Sequence, residues 1–205
     1  MTGVFQKLGL SEEDLIEARK IVAKYFLSKF GERYRQYLST VGMTLLRVFP
    51  PAASFTPDEL VDIIAVTDVL GPDSRAIMKR LREACTGCGW CCSQTERIVV
   101  EEEDTLRISR KLKVKQEDVF TREGNSWLIK KSKPCGWWNP KNGRCQIYND
   151  RPAICRLWPL GSTDADQPTM HPVPQCNYSV MVTVNKVMWL MQSAEKASQA
   201  PPTSG

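Results

Sequence analysis

An α+β fold is predicted: an N-terminal helical region, then a small metal-organised cysteine-cluster domain with short strands, then a C-terminal helix. Three observations predict it. All eight cysteines lie at or beyond position 85, and four are packed into Cys85-Thr-Gly-Cys88-Gly-Trp-Cys91-Cys92. The stretch before them carries apolar residues at helical spacing between capping signals. Among the later cysteines the pattern changes to short alternating runs separated by turn residues. The boundaries that follow are 1–80 for the helical region, 81–178 for the cysteine-cluster metal-binding domain, and 179–205 for the C-terminal helix and polar tail.

The helices come first. Ser11-Glu-Glu-Asp14 is an acidic N-cap close to a capping box. Leu15, Ile16, Ala18, Ile21, Val22, Tyr25 and Phe26 then recur at helical spacing. Gly31 is placed to interrupt this helix, and a second stretch runs from Tyr34 to Leu46 until Pro50-Pro51 ends it. Thr56-Pro57-Asp58-Glu59 combines an N-cap, a first-turn proline and a third-position glutamate. Its helix should stop near Gly71-Pro72. Asp73 or Ser74 caps the next, which leads through Ile77, Met78 and Leu81 toward Cys85. These apolar stripes read as core.

The cysteine region is mixed. Arg97–Val100 predicts a strand, Glu101–Leu112 a helix with an acidic first turn that suits the helix dipole, and Lys115–Phe120 a short helix. Ser126–Lys130 alternates as a strand, and Gly143–Tyr148 reads as its neighbour across the turn residues Asn139–Gly143. Asn149 or Asp150 caps a helix holding Pro152 in its first turn. That places Cys155 near a helix N-terminus, where the dipole and Arg156 favour a thiolate. Val180–Met191, interrupted by Asn185 and Lys186, is a core or interface helix, too short and polar to span a membrane. Ser193–Gly205 has the composition of a disordered tail.

The cysteines carry the chemistry. A Cys-x-x-Cys step points two thiolates into one space across a tight turn, and Gly87 and Gly89 supply the backbone freedom. Such steps occur in both zinc knuckles and iron–sulfur sites. Cys91 and Cys92 are adjacent, so their side chains are expected to diverge toward different sites. The candidate metal ligands are Cys85, Cys88, Cys91, Cys92, Cys135, Cys145, Cys155 and Cys176. Eight thiolates allow two four-ligand sites, or one site with spare thiols. A disulfide scaffold fits poorly: eight cysteines among 205 residues are too few, and no secretory signal opens the chain. His171, the one histidine, could ligate a metal but reads better as an exposed loop residue. Glu101–Asp104 reads as a helix start and not as a catalytic pair.

Composition narrows the class. A hydrophobic fraction of 42% is ordinary for a globular chain, and a net charge of +5 is mild. Lys130, Lys131, Lys133, Arg144, Arg151 and Arg156 are placed to offset an anionic tetrathiolate. The absence of a secretory or membrane segment predicts a cytoplasmic protein, with the mitochondrial matrix as the alternative.

The order Cys-x-x-Cys-x-x-Cys-Cys, a lone Cys, then Cys-x-Ile-Tyr-x-x-Arg-Pro-x-x-Cys-Arg-x-x-Pro resembles the YkgJ-like cysteine-cluster family, a zinc- or iron-chelating domain. The matching residues are Cys85, Cys88, Cys91, Cys92, Cys135, Cys145, Ile147, Tyr148, Arg151, Pro152, Cys155, Arg156 and Pro159, with Cys176 trailing. The resemblance covers about residues 81–178 and implies metal binding. It fixes no single activity, because the domain occurs in proteins of different roles, flagellin lysine methylases among them.

The expected cofactor is an iron–sulfur cluster of the 4Fe–4S type, with Zn2+ as the alternative. The two-residue spacing of three successive cysteines favours the cluster. The expected role is an electron-transfer, metal-handling or scaffold component with a protein partner or larger complex, without independent catalysis. A lysine methylase-like enzyme is the second reading, weakened by the lack of a Gly-rich nucleotide fingerprint. A nucleic-acid-binding zinc module is the third; Trp90, Trp137 and Trp138 suit shielding of a metal centre better than base stacking.

Overall fold

In the computed structural model, which describes residues 5, 8–81, 85–162 and 168–199, the chain divides into two compact units. One is formed by residues 1–84 together with 159–205, the other by residues 85–158.

The helical unit opens with α1 (Glu12–Ile21), capped by Ser11, whose hydroxyl accepts from the Asp14 N–H at 3.1 Å. The helix continues as a π-helical turn over Val22–Leu27 and a last α turn over Ser28–Phe30. Gly31, at φ +49°, breaks it as predicted. α2 (Glu32–Val48) ends at the proline pair, which forms a 3-10 turn over Pro50–Ser54. α3 (Pro57–Leu70) begins with a complete capping box: Thr56 Oγ1 accepts from the Glu59 N–H at 3.3 Å, and the Glu59 carboxylate accepts from the Thr56 N–H at 2.8 Å. Asp73 caps α4 (Ser74–Arg80), accepting from the Arg75 N–H at 2.8 Å.

The cysteine-bearing unit contains α5 (Trp90–Gln94), β1 (Val99–Val100), α6 (Glu102–Leu112), α7 (Gln116–Val119), β2 (Phe120–Glu123), β3 (Ser126–Ile129) and α8 (Ala153–Leu157). Its sheet is antiparallel in the order β1-β3-β2, with Val99 opposite Leu128 and Phe120 opposite Ile129. Gly143–Tyr148 is not a strand, contrary to the sequence expectation. Both edges of β3 are already taken by β1 and β2, so the segment cannot be its neighbour. It makes one isolated bridge, Trp138 with Cys145, and then a 3-10 turn over Tyr148–Asp150. The core of this unit packs Ile98, Val100, Ile108, Phe120, Ile129 and Ile147 with the Cys135 thiol.

The chain then returns to the helical unit through the hairpin of β4 (Leu160–Ser162) and β5 (Pro168–Met170) and ends in α9 (Asn177–Gln199). α9 is longer than predicted and takes in the first part of the expected polar tail; residues 200–205 lie outside the described residues. Val41 and Leu45 of α2, Ile63, Ile64 and Val66 of α3, and Val184 and Val187 of α9 are fully buried together. Each such side chain contributes about 1.5–3 kcal/mol relative to exposure.

Lys186 does not interrupt α9. It is buried, and its Nζ donates to Asp68 O at 2.7 Å, Asp68 Oδ1 at 3.1 Å and Ser74 Oγ at 3.0 Å, so all three ammonium protons are used. Asp68 also accepts from the Met170 N–H at 3.1 Å, which ties β5 to α3 and α9. His171 is half-buried, its ring edge-on to Phe30 at 4.9 Å, and not the exposed loop residue expected. Burial, reinforced by Arg33 and Lys29, holds its pKa down to about 4.

Candidate metal centre

Construction of the site begins at a backbone crossing. Gly89 caps α5 with φ +70°, and a Cβ there would lie 1.7 Å from the Gly143 carbonyl oxygen and 2.7 Å from Trp138 Nε1. Only glycine fits this approach. α5 then places Cys91 and Cys92 on one short helix with their sulfurs 4.0 Å apart. The expectation that adjacent cysteines would diverge fails here, because a helical turn sets successive side chains about 100° apart and not on opposite faces as a strand would.

The second half of the thiol group comes from more than forty residues later. Cys135 N–H donates to Cys92 O at 2.9 Å, while Thr95 Oγ1 lies 3.1 Å from Cys92 O and 2.6 Å from Ser132 O. These bonds hold the Cys135 loop against the end of α5. The Trp138–Cys145 bridge, with Gln146 N–H donating to Trp137 O at 2.8 Å, brings Cys145 back to the same place.

Hydrogen bonding with Cys92 is the first cause that lowers Cys91, Cys135 and Cys145 to about 7, against the opposing effect of burial. Cys92 itself is pushed upward by the same bonds. Cys155 stands beside them. Burial pushes it up to about 12, and the charges of Cys135, Cys91 and Cys145 add to the rise. The predicted thiolate-favouring effect of a helix start is thus outweighed by desolvation. Arg151 is the cation that acts on the group, drawing down Cys91, Cys145 and Cys155.

Arg151 is held in place by Tyr148. Its guanidinium sits over the Tyr148 ring at 3.7 Å, and its Nε donates to Tyr148 O at 2.8 Å. The Tyr148 hydroxyl donates to Cys85 O at 3.4 Å. Cys85 is half-buried and Cys88 exposed. Cys176 belongs to the helical unit, immediately before α9, where its sulfur accepts from the Ser179 N–H at 3.5 Å. No two of the eight cysteines are joined in a disulfide.

Two residues outside the candidate ligands support the site. Asp104, on α6, accepts from the Ala153 N–H at 2.6 Å and so caps α8, the helix that carries Cys155. Arg107, one turn on, donates to Asp104, to Asp150 O at 3.0 Å and to Arg151 O at 3.1 Å. The Asp-x-x-Arg spacing on one helix face was the available signal.

Among the described residues, no group of three or more Cys, His, Asp or Glu side chains is already set to hold an ion. The thiols form a hydrogen-bonded set that would have to draw in on ligation. The donor chemistry fits zinc or iron all the same, since the set is entirely sulfur. A further fit lies in Trp138, whose indole Nε1 is buried without a partner among the described residues. Such an N–H can be satisfied by sulfur of a bound centre.

No helix among the described residues is long and apolar enough to cross a membrane. Comparison with curated proteins and with solved structures gives no match. Residues 84–177 match the family model CxxCxxCC, described as "Putative zinc- or iron-chelating domain". This stretch includes all eight cysteines, and over it the chain is similar to that zinc- or iron-chelating domain.

Proposed function

We propose that the cysteine-bearing unit holds an iron–sulfur cluster of the 4Fe–4S type, and that the protein is an electron-transfer, metal-handling or scaffold component of a larger assembly. The observation that carries this reading is the convergence of Cys91, Cys92, Cys135 and Cys145 from two distant segments into one hydrogen-bonded sulfur group. These four are the inner ligand candidates, with Cys155 beside them and Cys85 and Cys88 on the approach to α5. Cys176, the remaining candidate, lies in the helical unit. A cluster, once bound, supplies one-electron redox chemistry. The chain's own part is to keep water off the sulfurs with Trp137 and Trp138, to offset negative charge with Arg151, and to offer the Trp138 N–H as a donor.

A second reading, one zinc ion, is favoured by a specific distance. Four sulfurs about 2.3 Å from zinc in a tetrahedron lie about 3.8 Å apart, close to the 4.0 Å between Cys91 and Cys92. Anaerobic purification separates the two. The cluster reading expects brown protein with acid-labile sulfide and an absorbance that bleaches with dithionite. Colourless protein with stoichiometric zinc and no sulfide, after expression with iron and cysteine supplied, overturns it in favour of zinc.

A further inference from the structure

An open cleft of about 550 Å³ lies in the cysteine-bearing unit, with Cys135 and Trp138 in its wall and Lys130, Lys131 and Lys133 around it. No Asp or Glu lines it. All three lysines are exposed. They follow β3 directly, and the backbone here is constrained: a Cβ on Gly136 would lie 2.9 Å from the Lys131 Cβ. We propose that this cleft is the docking surface for an acidic protein segment, whose carboxylates pair with Lys130, Lys131 and Lys133 above the Cys135 edge of the thiol group. The proposal rests on the metal-centre reading above and names the kind of partner that centre serves.

Three arguments carry it. The first is placement. Lys130, Lys131 and Lys133 all line the cleft, and no carboxylate lines it with them. The second is availability. Lys131 pairs with no carboxylate among the described residues. Lys133 pairs with Glu96 at 2.9 Å, but both side chains are about three-quarters exposed (73% and 74%), and such pairs exchange readily for a partner's carboxylate. Lys130 donates to a backbone carbonyl, Glu117 O, and pairs with no carboxylate among the described residues. The third is shape. The cleft has the volume of a site that takes a few side chains, and Pro134 and Pro140 in its wall offer no backbone N–H. Its three lysines supply charge, which steers association and fixes orientation.

The test uses the full chain, purified anaerobically, and a fluorescein-labelled oligoglutamate peptide followed by anisotropy at low and at physiological salt. The combined variant Lys130→Gln, Lys131→Gln and Lys133→Gln should weaken binding by about tenfold or more. The combined control Lys20→Gln, Lys79→Gln and Lys111→Gln removes equal charge elsewhere and should change binding by less than about twofold. Bound peptide should also protect Lys130, Lys131 and Lys133 from acylation, read by mass spectrometry. Equal weakening in both variants, or tighter binding of a single-stranded oligonucleotide than of the peptide, overturns the proposal. Metal content is measured on the same samples. A lysine-dependent peptide site on a chain that binds no metal sinks the metal reading alone. A metal-loaded chain with no lysine dependence sinks the docking surface alone.

Discussion

The Asp104 carboxylate accepts from the backbone N–H of Ala153 at 2.6 Å, joining residues 49 positions apart in the sequence. This bond sets the start of the helix that carries Cys155. Asp104→Ala removes the cap and leaves Arg107 without its carboxylate. The loss should be about 1.5–3 kcal/mol, the worth of a hydrogen bond to a charged group. Urea unfolding should show it, and hydrogen exchange should rise first in residues 153–157. Unchanged protection there would mean that α8 is held by packing alone.

Gly89→Ala should abolish the site, because the new Cβ would overlap the Gly143 carbonyl at 1.7 Å and the backbone at φ +70° resists a side chain. Gly124 makes the fair control. It has φ +59° but nothing within 4 Å of a Cβ, so Gly124→Ala should cost only about 1–2 kcal/mol. Metal content after purification reads the difference: near zero for the first variant and near normal for the second.

Metal affinity should fall as pH drops through about 7. The thiols must lose their protons to ligate, and hydrogen bonding with Cys92 is the first cause that holds Cys91, Cys135 and Cys145 near 7. Protons therefore compete below that pH and not above it. Cys92→Ala removes a ligand candidate and the common hydrogen-bond partner together. Its remaining binding should be weaker and should begin to fall at a higher pH, as the other thiols move back toward their ordinary value. Competition with a chromophoric chelator across a pH series measures both changes, and an unshifted profile in the variant would refute this role of Cys92.

Lys186→Met should destabilise the helical unit by about 3–5 kcal/mol, because Asp68 would keep a buried charge with no counter-ion. Adding Asp68→Asn should recover part of the loss. Helical circular dichroism in a urea titration tests both variants, and a double variant no more stable than Lys186→Met would show that the charge is not the cause.

Much of the helical unit was legible because its signals are local. The Thr56–Glu59 box, the Gly31 break and the Asp73 cap each act within a few residues. The cysteine region was legible in its ligand types but not in their grouping. The gathering of Cys91 and Cys92 with Cys135 and Cys145 depends on which segments cross at Gly89, and no local pattern encodes that crossing. The missing strand at Gly143–Tyr148 has the same origin: its alternation was real, but β1 had taken the edge it needed. Lys186 looked like a polar break in α9 because its partners lie more than a hundred positions away.

The division of the chain has a consequence for its synthesis. Residues 85–158 leave the ribosome as a continuous unit, whereas the helical unit lacks α9 until residues 177–199 have been made. Val180, Val184, Val187, Leu190 and Met191 are among the buried residues of that core. α2 and α3 must therefore wait with their apolar faces uncovered while the whole cysteine-bearing unit is translated. Thiols and metal can meet during that interval, before the unit encoded first is complete.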